Sequence, residues 1–290
     1  MTHPFDKLTP DRVLSCVESI GLKCDLRLLA LNSYENRVYQ VGLEENDPVI
    51  VKFYRPGRWT RRQILEEHEF TQELSECGLS VVAPQVINGQ TLHEVKDFMV
   101  AVFPRRGGNA PEIDNFDHLI GLGRTLGRLH GVGQIMRFSE RLEFSLERWM
   151  QEPLTFLARQ WVPGDLRAAW ESLGRDLIDR AAILLADYEP ADSIRLHGDC
   201  HVGNILWRDN TPHFVDLDDC IMGPAIQDLW MFLSGDRPQQ ELQLTELIGG
   251  YNEFMDFNPR QIKWIEALRT ARMVYYSAWL GRRWDDPAFR

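Results

Sequence analysis

Apolar positions change their rhythm once along this chain. In the first hundred residues they come in short runs: 26–31 (LRLLAL), 38–41, 49–54 (VIVKFY), 86–87 and 98–103 (FMVAVF). Short apolar runs bounded by turn residues predict strands. Residues 44–48 (EENDP) predict a turn that pairs the second and third runs antiparallel. Asn88-Gly89 predicts a tight turn between the fourth and fifth. A helical stretch over 61–77 interrupts the series, with Thr60 suited to its N-cap and Gly78 just past its end. The pattern predicts a sheet of about five strands with one helix inserted after the third.

Residues 103–108 (FPRRGG) break this pattern, and the expected domain junction lies there, dividing the chain into 1–103 and 104–290. Beyond it the apolar spacing turns helical. Leu119, Leu122, Leu126 and Leu129 recur at three and four, with Asp114 or Asn115 as a cap and Gly131 as a stop. Residues 154–161, 173–186, 242–254 and 261–284 also predict helices. Residues 195–219 differ, because two short apolar runs there flank polar turns containing glycine. No internal repeat is present. The fold class is α+β: a small β-rich front domain and a larger, mostly helical back domain. Clefts between such domains are common ligand sites.

Composition narrows the function classes. The chain has 290 residues, enough for a sizeable core, and its 44% hydrophobic and 26% charged fractions are those of a globular protein. With 32 basic and 43 acidic residues the net charge is −11, which argues against a nucleic-acid binder. Five scattered cysteines without ligand spacing fit free thiols in a reducing compartment. The N-terminus does not read as a signal peptide, and no apolar run approaches the ~18 residues that span a bilayer. The expectation is a cytoplasmic protein, off the membrane, that is stable as a monomer.

The chemistry concentrates in residues 196–207 (LHGDCHVGNILW) and 214–219 (FVDLDD). Asp199 precedes the amide Asn204 by five residues, and Asp216 follows twelve residues later at the end of an apolar strand. Asp216 and the Asn204 amide oxygen are hard ligands suited to Mg²⁺. Asp199 is placed to orient an acceptor hydroxyl and take its proton, with Asp218 behind as a supporting or alternative ligand. A single Asp in a turn is ordinarily a cap, and Cys200 with His201 lacks the further ligands of a metal pair. The whole set in this order points to phosphoryl transfer.

Residues 195–230 resemble the catalytic segment of the aminoglycoside phosphotransferase and choline kinase group, whose fold is protein-kinase-like and bilobal. Every position of its HGDxHxxN pattern, and of the following hydrophobic-D-hydrophobic-D-D run, is filled here. The resemblance implies Asp199 as catalytic base and Asn204 with Asp216 as Mg²⁺ ligands. It implies Asp228 as a structural partner of the catalytic loop. It implies Lys52, in the third strand, as the contact to the α- and β-phosphates of ATP, held by a helix carboxylate. Glu66, Glu67 and Glu69 are candidates for that carboxylate, and the family register favours Glu67. A phosphate-covering loop is implied at 32–37 (NSYENR), where the Ser33 hydroxyl joins backbone N–H groups without any glycine. Residues 99–103 take the place of the interdomain connection that pairs with adenine.

Residues 31–40, 51–56, 58–60, 197–207 and 275–280 are closer still to a family of bacterial stress-response Ser/Thr protein kinases. That similarity implies ATP- and Mg²⁺-dependent phosphorylation of protein Ser or Thr, with autophosphorylation. It also implies a further aromatic-rich stretch past the final residues 285–290. The wider group keeps a second acceptor class open, a small hydroxylated molecule such as an amino alcohol, sugar or aminoglycoside. No activation segment ending in Ala-Pro-Glu follows Asp216.

Overall fold

The alternation of the third strand organises the front of the molecule. In the computed structural model, which describes residues 3–286, the elements begin with α1 (Pro10–Ser19), β1 (Cys24–Leu31), β2 (Arg37–Leu43), β3 (Val49–Phe53), α2 (Arg61–Glu76), β4 (His93–Val95) and β5 (Phe98–Pro104). Then come α3 (Phe116–Gly133), α4 (Glu152–Gln160), α5 (Arg167–Leu184), β6 (Ser193–Leu196), β7 (Ile205–Arg208), β8 (Thr211–Phe214) and β9 (Ile221–Pro224). The chain continues with α6 (Ile226–Trp230), α7 (Arg237–Tyr251) and α8 (Ile265–Arg283). The end of the chain at 287–290 lies outside the described residues.

Packing divides the chain into two units. The first holds the residues up to Glu112 together with Ser139–Arg141 and Val202–Asp219. Its sheet has five antiparallel strands in the order β1-β2-β3-β5-β4. Side chains alternate across a strand. Val49, Val51 and Phe53 therefore enter the core shared with Val13, Cys16 and Val17 of α1, and Lys52 is directed to the opposite face. On that face Ile64 of α2 packs with Tyr54, Leu92 and Ala101. The buried stripe of α2 is Ile64, Glu67, His68, Thr71 and Leu74, so period two on β3 and period 3.6 on α2 bring Lys52 and Glu67 to the same layer.

Two expectations for this unit need correction. The sequence reading placed one helix here, but α1 is a second. Thr9 caps it, Pro10 opens it, and Val13, Cys16 and Val17 are buried at helical spacing. Residues 86–87 form no strand. Val86 is 62% exposed, and Ile87 closes on Gln90 around the Asn88-Gly89 turn, both of whose residues have positive φ. The fourth strand is instead β4, which turns into β5 through Lys96 at φ 57°. Its sequence, His-Glu-Val, carries no apolar run to announce it.

The second unit, residues 113–138, 142–201 and those from Cys220 onward, is mostly helical. β6 and β9 pair antiparallel inside it, and β6 leads directly into the 197–201 loop. Boundaries shift where caps outrank apolar content: α7 starts at Arg237 because Asp236 and Gln239 form a capping box with Pro238 in the first turn. A π turn at Glu147–Gln151 runs directly into α4. Gly123 and Gly127 let α3 approach α7 so closely that a Cβ at Gly123 would collide with the Leu247 carbonyl oxygen. Gly123→Ala is therefore expected to lower stability by about 1–3 kcal/mol, as overpacking does. Thermal unfolding checks this; an unchanged midpoint would mean that the helices do not pack this closely.

Candidate active site

In the first unit a buried cation meets three carboxylates. Lys52 Nζ lies 2.8 Å from Asp216 Oδ1, 3.2 Å from Asp218 Oδ1 and 3.9 Å from Glu67 Oε1. Burial opposes the Lys52 charge, but Asp216, Asp218 and Glu67 outweigh it and raise its pKa well above the ordinary lysine value. Glu67 itself is pushed up to about 7, chiefly by burial, against the pull of Lys52. Of the three candidate glutamates, Glu69 is exposed, and Glu66 turns to the backbone of residues 139–141.

Asp218 is the most heavily bonded of the carboxylates. Arg58 donates to its Oδ2 at 2.6 Å and Asn36 at 3.2 Å. Burial works against its charge, but Lys52, Arg58 and Arg141 hold its carboxyl well below the usual range. Asp216 differs, because its side chain is 53% exposed and its backbone takes the left-handed region at φ 58°. A non-glycine residue held there costs energy and is over-represented at functional sites. The Val215 N–H donates to the Asn204 carbonyl at 3.0 Å, which ties the residue before Asp216 to Asn204. Among the described residues no three His, Cys, Asp or Glu are placed to cage a metal by themselves. The Asp216 carboxylate and the Asn204 amide oxygen are hard-oxygen groups of the kind Mg²⁺ takes.

In the second unit the turn that carries Asp199 is shaped from beneath. Asp228, fully buried, accepts from the backbone N–H of His197 at 2.8 Å and of Gly198 at 2.9 Å. His130 lies 3.1 Å from the same carboxylate. Gly198 takes φ 84°, which lets the chain turn sharply and present Asp199. Arg272 of α8 donates to Asp199 Oδ1 at 2.5 Å, and His201 Nε2 lies 3.6 Å from Oδ2. Burial resists the Asp199 charge, but His201 and Arg272 outweigh it, and the carboxyl is held well below its ordinary pKa. Cys200, beside it, is buried, and burial raises its thiol pKa well above the usual value.

Residues 27–265 match the Phosphotransferase enzyme family. Stress response kinase A of Shigella flexneri is 48% identical over 98% of this chain and 86% of that protein. The chain belongs to the stress response kinase A family of phosphotransferases. Serine/threonine protein kinase RdoA of Salmonella typhimurium (strain LT2) is 45% identical over the same shares. The fold is that of the phosphotransferases too: an amicoumacin kinase, solved with AMP-PNP, Ca²⁺ and Ami, superimposes with a TM-score of 0.78 at 19% identity, over 95% of this chain and 87% of that one.

In this family member side-chain bonds shape the 32–37 turn. The Ser33 hydroxyl donates to the Asn36 carbonyl at 3.0 Å and closes the turn on itself. Asn36 then reaches Asp218 and accepts from the Arg55 N–H at 3.1 Å. Side-chain ties hold the loop in place of glycines. The placement of the adenine-pairing connection at 99–103 needs correction. Those residues form the inner strand β5, and the carbonyls of Met99 and Val102 accept from Tyr54 and Gln85. Their ladder is already occupied, and the chain leaves the sheet only after Pro104. Sequence reasoning missed Arg58, Arg141 and Arg272. Arg58 lies in the 58–60 run that resembles the family, whereas Arg141 stands 76 residues from Leu217 and Arg272 73 residues from Asp199, with no local signal.

The Asp199–Arg272 pair has a pH signature. Asp199 has a lower pKa folded than unfolded, so its contribution is complete above its ordinary value of about 3.9 and is lost as the pH falls through the folded value. Arg272→Ala should therefore cost more stability at pH 7 than at pH 3, measured by urea unfolding. An equal loss at both would contradict the pairing.

Proposed function

We propose that this protein is an ATP- and Mg²⁺-dependent kinase that phosphorylates Ser or Thr of proteins, its own chain included, in a bacterial stress response. The observation that supports it best is the convergence of Lys52, Glu67 and Asp216 in a member of a phosphotransferase family. Residues 1–103 supply the nucleotide lobe and 104–290 the acceptor lobe. Lys52 binds the α- and β-phosphates, Glu67 steadies it, and the 32–37 turn, with Ser33, covers the phosphates through its backbone.

Asn204 and Asp216 would hold Mg²⁺. Two protein ligands suit an ion that keeps waters and takes phosphate oxygens. Bound there, it neutralises charge on the phosphates. Asp199 orients the acceptor hydroxyl. The hydroxyl oxygen bonds to the γ-phosphorus, the bond from phosphorus to the β-bridging oxygen breaks, ADP leaves, and the hydroxyl proton passes to Asp199. A carboxylate held this acidic by Arg272 is a weak base. It suffices because phosphoryl transfer runs through a loose transition state in which the proton moves late.

A cytoplasmic setting agrees with five scattered cysteines that lack ligand spacing. The net charge of −11 fits a monomer that binds no nucleic acid. A second reading, a small hydroxylated acceptor, draws on one observation. After Asp216 the chain passes directly through a short turn into β9 and α6, leaving no long segment against which a peptide would lie.

Incubation of the protein with γ-labelled ATP, Mg²⁺ and cell lysate separates these readings. Label is expected in protein Ser or Thr, including this chain. Label in small metabolites alone would establish the second acceptor class, and no transfer at all would refute a kinase. Asp199→Asn should cut turnover by about 10²–10⁴-fold while ATP still binds. Lys52→Met should raise the KM for ATP, and an unchanged KM would remove the lysine from the nucleotide site.

A further inference from the structure

One short segment joins the two acidic elements of the nucleotide site without belonging to either. Residues Ser139–Arg141 pack with the first unit, although the chain on both sides of them belongs to the second. Their backbone is gripped by Glu66 of α2. Its carboxylate accepts from the N–H of Ser139 at 2.5 Å, of Glu140 at 3.0 Å and of Arg141 at 2.7 Å, and from the Ser139 hydroxyl at 3.1 Å. Three backbone donors on one carboxylate make a strong, directional anchor, since hydrogen bonds to ionised acceptors are about twice as strong as neutral ones.

From that anchor the Arg141 side chain runs inward. It is fully buried, and its guanidinium lies over the Trp59 ring, 4.4 Å from the centroid. Its Nη2 donates to the Asp218 carbonyl at 2.5 Å and to the Leu217 carbonyl at 3.4 Å, and stands 3.8 Å from Glu67 Oε2. These carbonyls belong to the two residues after Asp216, whose left-handed backbone needs outside support. Arg141 thus touches the backbone that aims Asp216 and the carboxylate that faces Lys52, while Glu66, next to Glu67, holds the strap to α2.

We propose that Glu66 and Arg141 form a strap that sets the Asp216 turn and the Lys52–Glu67 pair in register, with Arg141 as a positioning residue for Mg²⁺–ATP binding. The proposal rests on the nucleotide site argued above. A lysine would keep the charge but lose the planar guanidinium that stacks over the Trp59 ring and aims Nη2 at the two carbonyls. The effect should therefore fall on nucleotide and metal affinity more than on turnover at saturation.

The test compares wild type, Arg141→Met, Arg141→Lys and Glu66→Gln. It measures calorimetric Mg²⁺–ATP affinity, the KM for ATP, the half-saturating Mg²⁺ concentration and the melting temperature. Arg141→Met is expected to weaken Mg²⁺–ATP binding about tenfold or more, the size of one lost charge-assisted contact. It should raise the half-saturating Mg²⁺ concentration and change kcat less than KM. Arg141→Lys should recover part of the loss. Glu66→Gln, which keeps one acceptor oxygen at a half-buried position of α2, should shift the same two affinities in the same direction with a smaller fall in melting temperature. If Arg141→Met does not fold, Arg141→Lys and Glu66→Gln still decide. A lower melting temperature with wild-type Mg²⁺ and ATP affinities would reduce the strap to a purely structural element and overturn the proposal. Failure of the wild type itself to bind Mg²⁺–ATP would instead overturn the nucleotide site, and the strap's role with it.

Discussion

A charge that must be buried governs this molecule. Lys52 sits on the inner face of a sheet with its side chain 6% exposed, and an unpaired ammonium there would be untenable. Three carboxylates make it tenable, and each comes from a different constraint. Glu67 arrives through the helical period of α2, Asp216 through a strained turn, and Asp218 through Arg58, Asn36 and Arg141 gathered around it. Removing one of the two buried carboxylates, Glu67 or Asp218, costs about 3–5 kcal/mol, so the cluster holds the fold together as well.

The same logic shapes the turn that carries Asp199. Asp228 and His130 are buried, and Asp228 spends its hydrogen bonds on the backbone of His197 and Gly198. Asp199 is thereby left partly exposed, paired with Arg272 of α8 and facing His201. In the first unit the buried Asp218 bonds instead to the side chains of Arg58 and Asn36, and Asp216 beside it stays half exposed.

How much of this the sequence revealed depended on the range of the interaction. The five-stranded sheet, α2 with its Thr60 cap and the helical back half followed from local periodicity. The spacing of His197, Asp199, Asn204 and Asp216 was legible because all four fall within one short stretch of sequence. β4 was missed because its residues are polar and its pairing with β5 is set by a turn at Lys96. α1 was overlooked although Thr9-Pro10 and the spacing of Val13, Cys16 and Val17 announced it. Arg141 and Arg272 were illegible for a different reason. An arginine whose partner stands more than seventy residues away leaves no mark on its own neighbourhood, and only the folded chain brings them together.

The central claim is that Asp216, half exposed and paired with Lys52, is the carboxylate that binds the metal accompanying ATP. Calorimetric titration of ATP in the presence of Mg²⁺ and of a chelator, on wild type and Asp216→Ala, tests it most directly. The account requires Mg²⁺ to strengthen ATP binding by the wild type and this gain to vanish in the variant. A gain of the same size in both proteins would contradict it.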